Sequence, residues 1–195
     1  MKIESTSRGV RLECQNGFRK DRSCIDLLFG VKLLIEKNQE FNLETHLAFV
    51  DYVKASGKVK REKLFEILHS KNIPNLFLKS ITKIYSGNKM KVKIISQSSE
   101  EHTIKHGVRQ GCPLPPTLFN IYMNVRTVKW NQIYIKGVTL STNTKVNTLL
   151  ITNDQVLTAA LENNLQTEVF TWQIVLKWKY YPNNLRWWHF QDKTQ

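Results

Sequence analysis

Residues Gly107–Tyr122 read GVRQGCPLPPTLFNIY, the stretch with the clearest structural signal in the chain. Its first part is rich in glycine and polar residues, which predicts a loop. Pro115 and Pro116 are best tolerated in the first turn of a helix, because later turns need the backbone N–H that proline lacks. Apolar residues then recur at helical spacing from Leu118 to Val125. The stretch therefore predicts a loop that leads into a helix with an apolar face.

The composition fits one folded domain with a basic surface. The chain has 195 residues, of which 41% are hydrophobic and 10% aromatic, enough to bury a sizeable core. Its 29 Lys and Arg outnumber 16 Asp and Glu, which gives a formal net charge of +13. That charge attracts polyanions, so nucleic acid or an acidic membrane surface is the natural partner, although a basic face can also be merely solvated.

The sequence predicts neither a disulfide framework nor a membrane segment. Cys14, Cys24 and Cys112 are an odd number without zinc-type spacing, which favours a reducing, intracellular setting. The first residues contain no apolar signal region, and no run approaches the roughly 18 apolar residues of a membrane helix. We therefore expect a soluble protein of the cytoplasm or nucleus with no membrane partner.

Hydrophobic periodicity predicts an α+β chain. The predicted helices are Cys24–Lys37, Arg61–Ser70, a helix from Asn75 that Gly87 ends, a helix from Pro115, and Leu165–Trp178. The predicted strands are Thr45–Tyr52, a half-buried run with Met90, Val92 and Ile94, Ile133–Leu140 and Val146–Thr152. In the first helix, Leu28 is expected on the same apolar face as Leu27 and Val31. The pair Asn153–Asp154 lies between apolar runs and predicts a hairpin with an acid at its tip.

Three acidic or near-acidic residues end strands or turns. Asp51 lies at the end of the predicted strand Thr45–Tyr52, and Asn153 and Asp154 occupy the predicted hairpin turn. Two Mg²⁺ ions that clamp the attacking and leaving oxygens of a phosphoryl transfer need carboxylates from separate strands in this way. Capping and turn residues give the same pattern. The acids alone leave both interpretations open.

Four segments, in chain order, resemble the motifs of reverse transcriptases from non-LTR (LINE-type) retrotransposons. They are Gln15–Ser23 (QNGFRKDRS, family pattern QxGFRxGRS), Glu44–Val59 (ETHLAFVDYVKASGKV, family AFxDxxKAFDxV), Gly107–Tyr122 (family GVRQGCPLSPxLFNIY) and Asn147–Gln155 (NTLLITNDQ, family FADDQ). The third match is the most specific, with one departure at Pro115. A run of this length is hard to reach by chance.

The resemblance implies an α+β right-hand polymerase fold, with a palm of antiparallel strands flanked by helices, part of the fingers, and no thumb. It implies that Asp51 and Asp154 bind Mg²⁺ as catalytic carboxylates. Tyr52 would offer its backbone carbonyl to the second ion. Gln110 and Gly111 would lie against the incoming nucleotide and template, where a missing side chain lets the backbone approach closely.

The implied partners are an RNA template and a DNA primer. Lys54 and Arg109 would lie near their phosphates and attract them without regard to sequence. The alternative for both residues is a solvated basic face. A thumb or an endonuclease would be supplied by other segments of the parent element.

Several departures from the family pattern predict impaired catalysis. Asn153 replaces the first acid of the family pair, and an amide brings no negative charge to Mg²⁺. Ser56 replaces the Phe that excludes a ribose 2′-hydroxyl, so sugar discrimination is expected to be poor. Gly57 replaces a further Asp, and Pro115 replaces a Ser that can cap the helix.

We therefore predict a partial reverse transcriptase domain over residues 15–170, preceded by a non-core tail, 1–14, and followed by a divergent aromatic-basic tail, 171–195. The alternatives are a non-catalytic nucleic-acid-binding remnant and an unselected relic. Trp187 and Trp188 in the second tail would suit stacking on unpaired bases, but sequence foreign to the domain explains them as well.

Overall fold

A computed structural model of the chain describes residues 14–52, 54–71, 73–133, 137–141, 144–151, 154–176 and 185–190. The described residues divide into two compact units. Residues 54–122 form one of them, named here the basic unit. The other, the sheet unit, contains the described residues before 54 and after 122. Each unit is described by itself.

The sheet unit begins with helix α1, Cys24–Glu40. Ser23 and Asp26 form a capping box in which each side chain accepts a hydrogen bond from the backbone N–H of the other residue, which satisfies N–H groups left over at the helix start. Leu27 and Val31 are buried as predicted, but Leu28 is 62% exposed. The prediction for Leu28 was wrong because the buried face of α1 is narrower than its apolar face.

A four-stranded antiparallel sheet forms the centre of this unit, with strand order β10-β1-β9-β8. The strands are β1, Thr45–Asp51; β8, Thr148–Ile151; β9, Asp154–Ala159; and β10, Leu185–Phe190. The predicted hairpin is found as β8–β9, with Asp154 as the first residue of β9 opposite Ile151. Residues 152 and 153, where its turn was predicted, lie outside the described part of the chain. The sequence did not predict β10, which pairs with β1 along the edge of the sheet.

Helices and strands cover the two faces of this sheet. On one face, a core that contains Leu34, Leu47 and Val156 joins α1 to the sheet. On the other face lies helix α5, Glu162–Leu176, which packs against β9 and β1. The short hairpin of β6, Val138–Ser141, and β7, Thr144–Val146, adds to the α1 side.

Helix α4, Leu114–Ile133, begins where the prolines predicted and continues further than expected. The strand predicted from Ile133 was wrong at its start, because Ile133 is the last residue of α4. An apolar residue at this position fits the start of a strand as well as the end of a helix. The helical spacing of the preceding apolar residues is the signal that assigns Ile133 to the helix. Residues 134–136 lie outside the described part of the chain.

The basic unit contains a 3₁₀ turn, Ala55–Lys58, and the helices α2, Arg61–Ser70, and α3, Asn75–Tyr85. The buried guanidinium of Arg61 ties the unit together. It donates hydrogen bonds to the carbonyl oxygens of Gly107 (2.9 Å), Tyr85 (3.0 Å) and Ile104 (2.7 Å). A buried cation is tolerated here because these acceptors replace water.

Residues 89–103 form two short antiparallel ladders rather than a half-buried strand. They pair β2, Lys89–Met90, with β5, His102–Thr103, and β3, Lys93–Ile94, with β4, Gln97–Ser98. Met90, Val92 and Ile94 are all about half exposed or more. The prediction of a half-buried strand was therefore wrong, since alternation shows only that one face is apolar, not that anything covers it.

No helix among the described residues is long and apolar enough to cross a membrane.

One buried carboxyl group in the sheet unit stands out. Glu168 on α5 is fully buried, and neither of its carboxylate oxygens has a hydrogen-bond partner among the described residues. Burial raises the pKa of Glu168 from its ordinary value of 4.5 to about 9. The side chain is therefore a neutral acid at pH 7.

We predict that Glu168 makes the stability of the protein fall as the pH rises. The folded state keeps a proton that the unfolded chain releases above about pH 4.5, so this contribution is fully present below that pH and is lost up to about pH 9. The slope approaches about 1.4 kcal/mol per pH unit. Urea unfolding at pH 5, 7 and 9 should show that slope in the wild type and a flatter profile in Glu168→Gln. The exposed Glu162 on the same helix provides the control Glu162→Gln; identical profiles for wild type and Glu168→Gln would contradict the prediction.

Candidate functional site

The register of the sheet brings two of the predicted acids together. Asp51 is the last residue of β1 and Asp154 is the first residue of β9, and the two are directly opposite each other in the antiparallel pair. Directly opposed side chains lie on the same face of a sheet, with Cβ atoms about 5 Å apart. Both residues are exposed at the rim of the sheet. The ends of β1 and β9 thus place the two acids side by side.

The two carboxyl groups influence each other. Partial burial of its carboxyl raises the pKa of Asp154 above the ordinary value, although the residue as a whole is exposed. The negative charge of Asp51 and a hydrogen bond between the two side chains raise this pKa further. The pair therefore resists carrying two uncompensated charges. A cation placed between them would relieve that repulsion.

The donors at this rim suit a divalent cation. Carboxylate oxygens are the hard ligands that Mg²⁺ prefers, and Asp51 and Asp154 present them side by side in an exposed position. Within the described ranges, no group of three or more His, Cys, Asp or Glu is placed to hold a metal. The two acids fit one cation with water completing its shell, and are fewer than a complete two-metal centre uses. Asn153, the third predicted position, lies outside the described residues.

Buried polar side chains lie on the opposite face of the sheet from the acids. Tyr52 and Gln155 each follow one acid in the chain, and both are 2% exposed. Tyr52 Oη donates a hydrogen bond to Gln155 Oε1 (2.7 Å), and Trp172 Nε1 on α5 donates to the same oxygen (2.9 Å). Burial raises the pKa of Tyr52 far above its ordinary value, so the hydroxyl stays a donor. The nucleotide-binding role expected of Tyr52 concerned its backbone carbonyl and stays a prediction.

The remaining predicted site residues belong to the basic unit. Lys54 is exposed and adopts a left-handed conformation (φ 52°, ψ 41°) at the start of the 3₁₀ turn, which is unusual for a residue with a side chain. Ser56 is half-buried, and its carbonyl oxygen accepts a hydrogen bond from the N–H of Val108 (2.9 Å). This bond joins the segment after the first acid to the start of the Gly107–Tyr122 stretch.

A close backbone approach reinforces that junction. At Gly107 (φ +83°), an added Cβ would lie 3.1 Å from the Cα of Gly57 and 3.3 Å from the carbonyl oxygen of Ser56. Only glycine can adopt this positive φ and also fit so close to the neighbouring backbone. The Gly57 that departs from the family pattern therefore lies directly against Gly107.

Arg109, Gln110 and Gly111 form an exposed loop beyond that junction. The N–H of Arg109 donates to the hydroxyl of Tyr85 (3.3 Å), which anchors the start of the loop and leaves the Arg109 residue exposed. Gly111 has φ +82°, and the space that a Cβ would occupy is open. A ligand could therefore approach the backbone there. The structure thus brings Asp51, Tyr52 and Asp154 together in one unit and Lys54, Ser56, Arg109, Gln110 and Gly111 in the other.

Sequence reasoning had not singled out Gln155 or Trp172. Gln155 ends the fourth motif, and its position directly after an acid is the signal that the sequence offers. Trp172 gave no signal in the sequence, because its partners Tyr52 and Gln155 lie 120 and 17 residues away.

Comparison with known proteins identifies the family of this chain. Residues 11–177 match the family described as reverse transcriptase (RNA-dependent DNA polymerase). The chain therefore belongs to the reverse transcriptase family.

Two curated relatives are Pol polyproteins of retrotransposable elements, which supports a non-LTR reverse transcriptase domain in this chain. It is 28% identical over 110 residues to a retrovirus-related Pol polyprotein from a type-2 retrotransposable element of Drosophila melanogaster, covering 56% of this chain and 10% of that protein. It is 27% identical over 126 residues to the Pol polyprotein from the type-1 retrotransposable element R2 of Nasonia vitripennis, covering 64% and 12%. The chain thus spans about a tenth of the length of these relatives and corresponds to their non-LTR reverse transcriptase domain.

A solved structure shows the same fold. The apo telomerase of Candida tropicalis, truncated from its C-terminal domain, aligns with all of this chain and 40% of that chain, with a TM-score of 0.71 and 12% sequence identity. At this identity the likeness concerns the fold alone, and it supports the mixed arrangement of helices and antiparallel strands that the sequence predicted.

Proposed function

We propose that this chain is the palm, with part of the fingers, of an RNA-directed DNA polymerase from a non-LTR retrotransposon, and that catalysis is impaired in this copy. The observation that carries the proposal is the opposition of Asp51 and Asp154 at the ends of β1 and β9. Two carboxylates from separate strands, side by side at an exposed rim, are part of the ligand set that metal-dependent nucleotidyl transfer needs. Membership in the reverse transcriptase family supports the reaction class.

Asp51 and Asp154 would hold Mg²⁺ at this rim. When bound, the metal would stabilise the charge that develops on the attacking and leaving oxygens during two-metal nucleotidyl transfer. Gly111 would let the incoming nucleotide and template approach the backbone, with Gln110 beside it. Lys54 and Arg109, both exposed, would attract the phosphates of the primer-template.

The amide at position 153 is the main reason to expect impairment. The family has an acid there, and Mg²⁺ sites depend on anionic oxygen. The chain therefore keeps two acids of a site that uses three, and its metal affinity should be reduced. Ser56 adds a second defect, since it leaves space where the family has Phe against the 2′-hydroxyl of a ribonucleotide.

Primer extension tests this proposal. On an RNA template with a DNA primer and Mg²⁺, we expect little product from the wild type and roughly tenfold more, or better, from Asn153→Asp, because the restored carboxylate raises metal affinity. Adding Asp51→Asn to Asn153→Asp should abolish the product, which excludes a contaminating polymerase.

The outcome that rejects the polymerase proposal is the absence of product from the wild type, from Asn153→Asp and from Asn153→Asp combined with Ser56→Phe. The combined variant should also prefer deoxyribonucleotides to ribonucleotides more strongly than Asn153→Asp does.

The distribution of charge favours a second candidate, a nucleic-acid binder without catalysis. Residues 54–122 contain 13 Lys and Arg against 4 Asp and Glu, so most of the net charge of +13 belongs to the basic unit. An open groove along α3 in this unit presents Lys79 and Lys83 beside His69 of α2. Such a surface would bind phosphate backbones with little sequence preference and without any need for the acid pair.

Binding to a primer-template should weaken steeply with salt. With about four phosphates neutralised, affinity should fall about a hundredfold between 50 and 200 mM salt, measured by fluorescence anisotropy. Lys54→Gln and Arg109→Gln should each reduce the slope of the logarithm of affinity against the logarithm of salt by about one. Lys32→Gln, which removes an exposed lysine of the sheet unit paired with Glu36, is the matched control. Affinity that does not respond to salt would reject this candidate.

A further inference from the structure

The residues that follow the two acids meet beneath the sheet. Side chains alternate between the faces of a strand, so Asp51 and Asp154 lie on one face while Tyr52 and Gln155 lie on the other. There, both are buried against Trp172 of α5. Each acid is thus one peptide unit away from a member of a buried cluster, named here the Gln155 cluster.

Gln155 is the centre of this cluster, and all its amide atoms have partners. Its Oε1 accepts hydrogen bonds from Tyr52 Oη (2.7 Å) and Trp172 Nε1 (2.9 Å). Its Nε2 donates to Thr148 Oγ1 (2.8 Å), which in turn donates to the carbonyl oxygen of Val156 (3.1 Å). The donors on one side and the acceptor on the other fix the orientation of the amide.

Burial gives the Gln155 cluster its rigidity. Tyr52, Thr148, Gln155 and Trp172 are each 2% exposed, and hydrogen bonds in such surroundings are strengthened by the low dielectric. The rings of Tyr52 and Trp172 also pack at a centroid distance of 5.3 Å with an angle of 49° between their planes. The cluster therefore joins β8, β9 and the residue that follows β1 to α5 at one end of the sheet.

That end is where the backbone gives the acids least support. Asp51 is the last residue of β1 and Asp154 is the first of β9, so the ladder of backbone hydrogen bonds stops at the acid pair. Strand ends open more readily than strand centres. A restraint at this point must come from side chains, and the Gln155 cluster supplies one directly behind the acids.

We propose that Tyr52, Gln155 and Trp172 are positioning residues that hold Asp51 and Asp154 opposite each other from the far face of the sheet. Their side chains would act from behind the acids and not on the metal or the reacting groups; they keep the two strand ends closed and in register. The consequence for metal binding rests on the proposed function, whereas the effect on the strand ends does not.

A purely structural role would give the sheet general stability without any special effect at the acids. Thr158 provides the matched control, because it is a buried residue of the same strand, β9, whose Oγ1 donates to the carbonyl oxygen of Val146 (2.6 Å). It lies four positions from Asp154, so Thr158→Val removes a comparable hydrogen bond away from the acids.

Amide hydrogen exchange of the full chain tests the proposal without metal. In Tyr52→Phe, we expect exchange to become about tenfold faster at Asp51 and Asp154 than at His46 and Ala159, the far end of the same strand pair. Trp172→Phe keeps a ring but removes its N–H donor, and should act in the same way. Thr158→Val should not accelerate exchange at Asp51 and Asp154 more than at His46 and Ala159. Uniform acceleration along β1 and β9 in Tyr52→Phe and Trp172→Phe would overturn the proposal.

Mn²⁺ binding, measured by the loss of the free-ion paramagnetic resonance signal, tests the consequence for the site. Tyr52→Phe should weaken Mn²⁺ binding about tenfold, because loss of a residue that supports metal ligands typically costs about that much affinity. Thr158→Val should leave the affinity for Mn²⁺ unchanged. Equal affinity in wild type and Tyr52→Phe would overturn the positioning role. Absence of Mn²⁺ binding by the wild type would instead reject the proposed metal site, and the exchange measurement would then decide the proposal by itself.

Discussion

The antiparallel pairing of β1 with β9 is the constraint on which the candidate site depends. Its register places Asp51 opposite Asp154, and a slip of one residue would move one acid to the opposite face. The apolar residues prevent that slip, because Leu47 and Val156 belong to the core under α1 and whichever of them is on the slipping strand would be driven to the α5 face. Packing of the core and placement of the acids are therefore two results of a single register.

Much of this site could be predicted because its signals are local. In the sequence, Asp51 ends a nearly continuous apolar run, and Asp154 belongs to a polar pair between two apolar runs, so each position could be inferred from a few neighbouring residues. The pairing of β10 with β1 could not, since it joins residues more than a hundred positions apart. Nor could the exposure of Leu28 and of Ile94, because apolar spacing shows which face is apolar but not what covers it.

Charge is divided unequally between the two units. The sheet unit holds a pair of acids whose mutual repulsion contributes to the raised pKa of Asp154. The basic unit holds most of the positive charge of the chain. Under the proposed function, an amide at position 153, where the family has an acid, would attract a cation less strongly than a third carboxylate would. We therefore expect weakened chemistry without a loss of fold.

The most direct measurement of the central claim is a carboxyl-carbon NMR titration of Asp154 in the wild type and in Asp51→Asn. If the register holds the two acids together, the pKa of Asp154 lies above its ordinary value in the wild type and falls in Asp51→Asn, because the neighbouring charge is removed while partial burial remains. Glu36→Gln, an exposed change on α1, should leave that pKa unchanged. An Asp154 whose pKa is the same in the wild type and in Asp51→Asn would contradict the account, since the two carboxyl groups would then not be neighbours.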